Sequence, residues 1–175
     1  AEYEIFDFEN GTLETNKKTL TVGAVKNSVV FDLNVPFICS EYDKKRTGIA
    51  VRLYENSALI QQKAVLFCRE NELHLPKAKL KTAFEETADG LNVTVSSDKY
   101  ARLVKVESSK STLPFSDNFF DLLPGQKKTV TIKKDTSIST TELRNSITTY
   151  SLSDIPFSNN KLDTKFKQLK VFLSP

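Results

Sequence analysis

The sequence predicts an all-β protein made of two β-sandwich domains, the first of them incomplete. Short runs of alternating apolar and polar residues recur along most of the 175 residues, and turn signals such as Asn10-Gly11 and Asp89-Gly90 separate them. Pro76 interrupts this pattern, because proline has no N–H to donate to a central strand. We therefore place the domain boundary there, with residues 1–76 and 77–175 as the two units.

The first unit contains a small number of predicted strands. The run 49–54 alternates, the turn Glu55-Asn56-Ser57 follows it, and the run 59–68 returns as the second arm of a hairpin. The run 29–33 is expected to be a strand that ends before Pro36. These strands are few for a sandwich that buries two inner faces, so we expect its opening strand to be missing or to lie close to residue 1. The predicted strands are 4–8, 19–22, 29–33, 49–54 and 59–68.

The second unit begins with a predicted meander of strands joined by turns. A Ser/Thr-rich stretch at 136–141 comes later, and the segment 142–147 is consistent with either a short helical turn or the end of a strand. Apolar residues alternate again at 169–173, which indicates a late edge strand or a docked tail. The predicted strands of the unit are 80–86, 91–96, 101–107 and 127–133.

The most informative stretch is Phe115-Ser116-Asp117-Asn118-Phe119-Phe120-Asp121-Leu122-Leu123-Pro124-Gly125. Its apolar positions do not follow helical spacing, and Pro-Gly ends the run. This pattern predicts an irregular, partly buried loop whose Asp and Asn side chains bond to the nearby backbone. We expect at least one of Phe119 and Phe120 to be buried. We also expect Pro124-Gly125 to form a type II turn, in which Gly125 has a positive φ.

This block, followed by the Lys/Thr/Val strand at 127–133, resembles the C-terminal immunoglobulin-like domain of β-mannosidases of glycoside hydrolase family 2. The resemblance extends to residues 91–102 and 150–155, and the part before residue 76 is similar, more loosely, to the preceding sandwich domain. It implies two immunoglobulin-like sandwiches. Residues 77–175 would be the C-terminal domain with a C-terminal extension, and residues 1–76 part of an immunoglobulin-like or carbohydrate-module-like domain.

The same resemblance implies a non-catalytic role for this chain. In the family the two catalytic glutamates lie on a (β/α)8 barrel, and this sequence has no βα repeats that could form one. We therefore expect the chain to scaffold a catalytic barrel that lies outside it, within a retaining β-mannosidase. That barrel is the expected intrachain partner, and a β-mannoside carbohydrate is a further candidate. By family resemblance, a periplasmic, secreted or lysosomal location is favoured over a cytoplasmic one.

From the residues alone, we assign no catalytic, cofactor-binding or metal-binding role to any position. A retaining glycosidase needs two carboxylates about 5 to 5.5 Å apart, but Glu85 and Glu86 are neighbours on a predicted strand and point to opposite faces. We assign Asp117 and Asp121 to loop stabilisation. One His and two Cys without ligand spacing predict no metal site, and the 5 Gly form no phosphate-binding motif.

The two cysteines are interpreted as structural. Cys68 lies in the apolar run 64–68, where a thiol behaves as a small buried hydrophobe. Cys39 follows Pro36 in a predicted connection, so a disulfide with Cys68 would require the two segments to meet. A nucleophilic role is disfavoured, because His74 is the only His and no partner motif surrounds it.

Charge and aromatic content restrict the classes of partner that this chain is expected to bind. The net charge is +3, and the Lys pairs are interleaved with acids rather than grouped on one face, which disfavours nucleic acid. No apolar run approaches the roughly 18 residues of a membrane helix. Trp is absent and Phe occurs 12 times, so core packing explains the aromatics best. The alternative is a carbohydrate-binding or adhesion sandwich without a hydrolase parent, whose platform would come from Tyr3, Tyr42, Tyr54, Tyr100 or Tyr150.

Overall fold

The computed structural model describes residues 1–21, 29–134 and 136–155. The strands are β1 Glu2–Asp7, β2 Gly11–Lys17, β3 Thr47–Glu55, β4 Ala58–Leu66, β5 Leu80–Thr87, β6 Gly90–Ser97, β7 Ala101–Ser108, β8 Phe120–Leu122, β9 Lys127–Lys133 and β10 Ile147–Tyr150. The helices are α1 Val35–Glu41 and α2 Thr140–Ser146, with 3₁₀ turns at Glu70–Glu72 and Leu152–Asp154. The prediction of an all-β chain is confirmed. None of the described helices is long and apolar enough to cross a membrane.

The N-terminal part forms one antiparallel sheet in the order β2-β1-β3-β4. The predicted hairpins are both present: β1 pairs with β2, and β3 pairs with β4. The β3–β4 turn places Asn56 at φ 49° and Ser57 at φ 69°. Two consecutive positive φ values suit the right-handed twist of the flanking strands. Within the described residues, β4 is therefore an edge strand of this sheet.

The predicted strand at 29–33 is wrong. Described residues 29–34 have no strand structure, and α1 begins directly after them. The Asn34 side chain accepts a hydrogen bond from Phe37 N, and Pro36 lies in the first turn of the helix. Proline is favourable there because the first helical N–H groups have no intrahelical partner. Ile38 then packs under the sheet with Ile5 and Ile49.

The face of the N-terminal sheet that points away from α1 shares a core with the C-terminal part. Phe6 and Phe8 are fully buried together with Tyr100 and Leu123. The Tyr100 ring stacks on Phe8 at 4.8 Å between centroids, and Tyr100 N donates to Phe8 O at 2.8 Å. Burial of several aromatic rings across this contact holds the two parts together.

The C-terminal part is a sandwich of two sheets, β5-β6-β9 and β10-β7-β8. Alternate residues of facing strands fill the space between them, as the period of two requires. The helix α2 covers one end of this core through Leu143. The fully buried residues are Leu91, Val93, Val95, Ala101, Val104, Val106, Leu122, Val130 and Ile132.

The segment 142–147, for which the sequence left two structures open, adopts both in succession. The Ser139 side chain caps α2 by accepting from Glu142 N, and the Glu142 carboxylate accepts from Ser139 N. This capping box satisfies two N–H groups that the first helical turn leaves free. Ile147 then ends the helix and begins β10, which pairs with β7.

The predicted type II turn is confirmed. Gly125 has a φ of 75°, and Gln126 N donates to Leu123 O at 2.9 Å across the corner. Gly125 N also donates to Ser97 O at 2.9 Å, which ties the corner to the end of β6. The turn therefore fixes both the entry into β9 and the position of Leu123 in the shared core.

Replacing Gly125 by Val is expected to lower the free energy of unfolding by roughly 1 to 2 kcal/mol, the cost of a left-handed conformation for an L-residue. A Cβ at this position would meet no heavy atom within 4 Å, so the loss measures backbone strain alone. Denaturant midpoints provide the measurement. Gly125→Asn is the matched control and should lose less, because Asn tolerates this region. Equal stability of the Val variant and the wild type would contradict the turn's importance.

Two predicted strands fall wholly or partly outside the described residues. The run 169–173 lies outside them, and of the run 19–22 residues 19–21 are described and have no strand structure. The domain boundary at residue 76 stays a prediction. The chain passes from β4 to β5 through the 3₁₀ turn and an extended stretch that contains Pro76.

Candidate functional site

The candidate site lies where the N-terminal sheet meets β7, β8 and the turn before β9. Its centre is the carboxylate of Asp121, in the middle of β8. Oδ2 accepts from the Tyr100 hydroxyl at 2.8 Å and from Arg102 Nη1 at 2.9 Å, and Oδ1 accepts from Leu103 N at 3.0 Å. Arg102 Nη2 donates in turn to Glu70 of the 3₁₀ turn at 2.8 Å. One carboxylate thus joins three residues of the C-terminal part and, through Arg102, the connection from the N-terminal sheet.

Burial and charge shift the pKa values in this network. Burial, helped by the charge of Asp121, raises the pKa of the Tyr100 hydroxyl, so Tyr100 stays a neutral donor. Burial lowers the pKa of Arg102, but the hydrogen bond to Glu70 and the charge of Asp121 outweigh burial and raise it overall. The hydrogen bond from Arg102 lowers the pKa of Glu70. The network is therefore a fixed, charged brace at neutral pH rather than a proton-transfer site.

A bulge between β7 and β8 creates this arrangement. Ala101 pairs with Leu122 and Val104 with Phe120, so two residues of β7 oppose one of β8. Leu103 has a φ of 50° as a result, and its N–H reaches the Asp121 carboxylate instead of a backbone carbonyl. Bulges of this kind redirect side chains and increase the local twist.

The residue before β8 also has an unusual conformation. Phe119 has a φ of 58° and its ring is 38 % exposed. The Asn118 side chain holds it in place, since Oδ1 accepts from Val106 N at 2.8 Å and Nδ2 donates to Val106 O at 2.8 Å. Asn118 thus replaces a strand residue as the partner of β7. The prediction that short polar side chains of this block bond to backbone is confirmed, and so is the prediction that at least one of Phe119 and Phe120 is buried, since Phe120 is.

An amide pair connects the two parts a second time. Gln62 of β4 and Gln126 of the turn donate to each other at 3.0 and 2.7 Å. Gln126 Oε1 also accepts from Leu123 N at 3.1 Å. Above this pair, an open cavity of about 670 Å³ runs along β4 residues 59–64 and faces the block 117–122 and residues 126–128. We refer to this cavity as the β4 groove.

A second charged cluster lies on the N-terminal sheet, around Arg52. Its guanidinium donates to Glu2 at 2.8 Å and Gln62 at 2.8 Å and pairs with Glu4. Glu4 also accepts from the Thr12 hydroxyl at 2.6 Å. These two carboxylates share one cation and are occupied by structural contacts. They resemble a brace between strands more than a pair of catalytic groups.

Of the carboxylates considered from the sequence, Asp117 and Asp121 both line the β4 groove, whereas Glu85 lies outside it. Glu85 accepts from the Asn92 side chain at 3.1 Å on the exposed face of the β5–β6 pair. Asp117 pairs with Lys128, whereas Asp121 holds the network described above. Among the described residues, no group of three or more His, Cys, Asp or Glu is arranged to hold a metal ion. Cys39 lies in α1 and Cys68 follows β4, and both are free thiols.

Sequence reasoning missed the Arg102–Glu70 and Arg52 clusters and the Gln62–Gln126 pair. Their members are distant in sequence, 64 residues apart in the case of the two glutamines. The alternation of β4 does place Gln62 on the same face as Ala64, which is a weak signal that it points toward the core.

The comparisons with known proteins agree with this architecture. Residues 75–155 match a family model named for mannosidases and described as an Ig-fold domain. A comparison with curated proteins found no match. Among solved structures, the chain is similar to the β-D-mannosidase of Dictyoglomus thermophilum, with a TM-score of 0.72 and 20% sequence identity. That match covers 86% of this chain and 18% of that enzyme, so the chain spans less than a fifth of its length. Residues 75–155 are therefore similar to the immunoglobulin-like domains of mannosidases, and the chain shares its fold with part of a solved β-mannosidase.

Proposed function

We propose that this chain is the non-catalytic β-sandwich portion of a β-mannosidase-like retaining glycoside hydrolase and that it supports a catalytic barrel lying outside it. The observation that carries the proposal is the mannosidase-type domain at residues 75–155. The fold shared with less than a fifth of a solved β-mannosidase supports it. Most of such an enzyme would lie outside the part that resembles this chain.

The state of the carboxylates supports a non-catalytic role. Retaining hydrolysis needs a nucleophile and a separate acid/base that both face a sugar-sized space. Asp121 accepts three hydrogen bonds, Asp117 is paired with Lys128, and Glu2 and Glu4 share Arg52. Each of these groups would have to give up its structural partner before it could attack or protonate a substrate.

An exposed apolar surface offers a place for the barrel to dock. Register places Val51, Leu53 and Val65 on the same sheet face as Ile49, beside α1. All three are exposed, and so is Phe37 of α1 at 59 %. A contiguous apolar surface of this kind marks an interface more often than a solvated face. We infer that this surface, defined by these four residues, contacts the barrel of the parent polypeptide.

The proposal predicts that the purified chain hydrolyses no aryl β-mannoside, because Asp117, Asp121, Glu2 and Glu4 are each held by a structural partner. The measurement is release of the chromophore at high protein concentration, with an active β-mannosidase as the positive control. Turnover that survives purification and is abolished by Asp117→Asn or Glu2→Gln would refute the non-catalytic assignment.

The docking surface is tested in the full-length polypeptide that contains this chain. Val51→Ser together with Leu53→Ser should lower its thermal stability and β-mannosidase activity, because polar hydroxyls would be buried against the barrel. Leu13→Ser is the matched control, since Leu13 is similarly exposed but lies on β2. Equal effects of the two changes would count against this surface.

A further inference from the structure

The β4 groove has the size and form of a ligand site. Its volume of about 670 Å³ lies within the roughly 300 to 1,000 Å³ of small-molecule sites. One wall is the edge strand β4, where Leu59 and Ile60 are exposed. The other wall is the block 117–122, and the Gln62–Gln126 amide pair lies between them. The groove is open along its length, which suits an extended ligand.

Phe119 provides a flat apolar surface in this groove. A bulky residue at a φ of 58° carries backbone strain. Asn118 offsets this strain with two hydrogen bonds to Val106. Phe119 is less buried than its neighbour, because it is 38 % exposed while Phe120 fills the core at 8 %. The local structure therefore holds an aromatic ring at the surface of the groove.

The charges that face the groove balance one another. Arg102 pairs with Asp121, and Lys128 with Asp117. Lys128 lies on the inward face of β9, two residues before buried Val130, and this alternation turns Lys127 to the opposite face. In the same way Gln62 points to Gln126, so Lys63 points to the other face of β4. Lys63 and Lys127 also line the groove, but this alternation directs their side chains away from it, so the side chains that face it carry nearly balanced charges, which favours a neutral ligand.

The groove also presents donors and acceptors side by side. Asp117 offers acceptors, and Lys128 and the second N–H of each side-chain amide offer donors, whereas each amide oxygen already accepts two hydrogen bonds. Arg102 Nε is buried and has no hydrogen-bond partner among the described residues. A ligand that combines apolar C–H faces with many hydroxyl groups matches this lining, because the faces pack on an aromatic ring and each hydroxyl both donates and accepts.

We propose that the β4 groove binds a neutral oligosaccharide, with one sugar ring on Phe119 and its hydroxyl groups bonded to Gln126, Lys128 and Asp117. The proposal rests on the proposed function only for the choice of sugar, which is a β-linked manno-oligosaccharide. In this role the chain would hold substrate for the parent enzyme as well as support its barrel.

The experiment is a titration of the ¹⁵N-labelled 175-residue chain with β-linked mannotriose, followed by backbone amide shifts. Saturable shifts are expected at Asn118, Phe119, Gln62 and Gln126. Phe119→Gly should weaken binding about tenfold or more, since an aromatic contact and its buried area are together worth about 1.4 kcal/mol or more. Glycine accepts the positive φ, so this variant removes the ring without straining the fold.

Phe37→Ala is the matched control, because Phe37 is an exposed Phe outside the groove; its affinity should equal that of the wild type. Cellotriose and a uronic acid oligosaccharide are titrated in the same way. Binding of cellotriose alone would support a neutral oligosaccharide site in the groove but would replace the manno-oligosaccharide as its ligand. The proposal is overturned by the absence of saturable shifts with both neutral sugars, by shifts outside the groove, by unchanged affinity of Phe119→Gly, or by binding of the acidic sugar alone. None of these results bears on hydrolysis or barrel docking, which the experiments above test separately.

Discussion

Replacing Phe120 by Ala is expected to lower the free energy of unfolding by about 3 to 5 kcal/mol, the usual cost of truncating a buried Phe. The residue is 8 % exposed and packs in the core of the C-terminal sandwich. Its backbone pairs with Val104 beside the bulge, and Lys128 Nζ lies 4.8 Å from the ring centroid. Truncation removes the transfer free energy of the ring and leaves a cavity between two sheets that cannot collapse around it.

Phe119→Ala is the matched control, since it removes the same atoms one residue earlier. Its ring is largely outside the core, so the loss should stay below about 1 kcal/mol, as for ordinary surface positions. Equilibrium denaturation with guanidinium chloride measures both variants. If Phe120→Ala shifts stability by no more than Phe119→Ala, the assignment of Phe120 as the buried member of the pair is wrong.

Asp121→Ala is expected to cost about 3 kcal/mol or more, which is the range for breaking a largely buried charge pair. The change removes the acceptor of the Tyr100 hydroxyl, of Arg102 and of Leu103 N at once. Buried Tyr100 has no other acceptor nearby among its described contacts, and a buried donor without a partner is costly. Leu103 would also lose the bond that stabilises its positive φ.

The control for this variant is Asp117→Ala in the same block. Asp117 also carries an ion pair, with Lys128, but its side chain is 47% exposed, against 17% for Asp121. Exposed pairs contribute about 0 to 1 kcal/mol because water and salt screen them. Thermal unfolding at low and high salt distinguishes the two variants. The loss of stability in Asp121→Ala should persist at high salt. A small or salt-sensitive loss at Asp121 would contradict its role as the brace of the junction.

Together these variants test whether the block 115–125 joins the two parts of the chain. Phe115 bridges to Ile132 and Phe120 fills the sandwich, whereas Leu123 enters the core shared with Phe6 and Phe8. Consecutive stretches of one irregular segment therefore contact two different cores. This position explains why the segment contains more aromatic residues than an ordinary connection would need.

Much of the strand structure was predictable from the alternation of side chains. In β6 and β9 alternate residues face a core, and the period of two shows directly in the sequence. The turns at Asn10-Gly11 and Pro124-Gly125 followed from the backbone freedom of glycine and the fixed φ of proline. These features depend on interactions within a few residues, so one sequence is enough to reveal them.

The error at 29–33 shows where this reasoning ends. The run alternates like a strand, but Phe31 and Leu33 pack beside Tyr3 from an extended connection that precedes α1. Partial burial of alternate residues requires only a neighbouring surface, not a strand partner. The cap at Asn34 and the proline at position 36 favour a helix directly after this run.

The all-β class, the positions of most strands, the turn at Gly125 and the burial of at least one of Phe119 and Phe120 follow from the sequence pattern. The tertiary structure alone decided the bulge opposite Asp121, the Arg102–Glu70 bridge, the Gln62–Gln126 pair and the groove above it. The physical reason is sequence separation. Alternation and turn chemistry act between near neighbours, whereas each of the latter contacts joins segments that meet only after both sheets have formed and packed together.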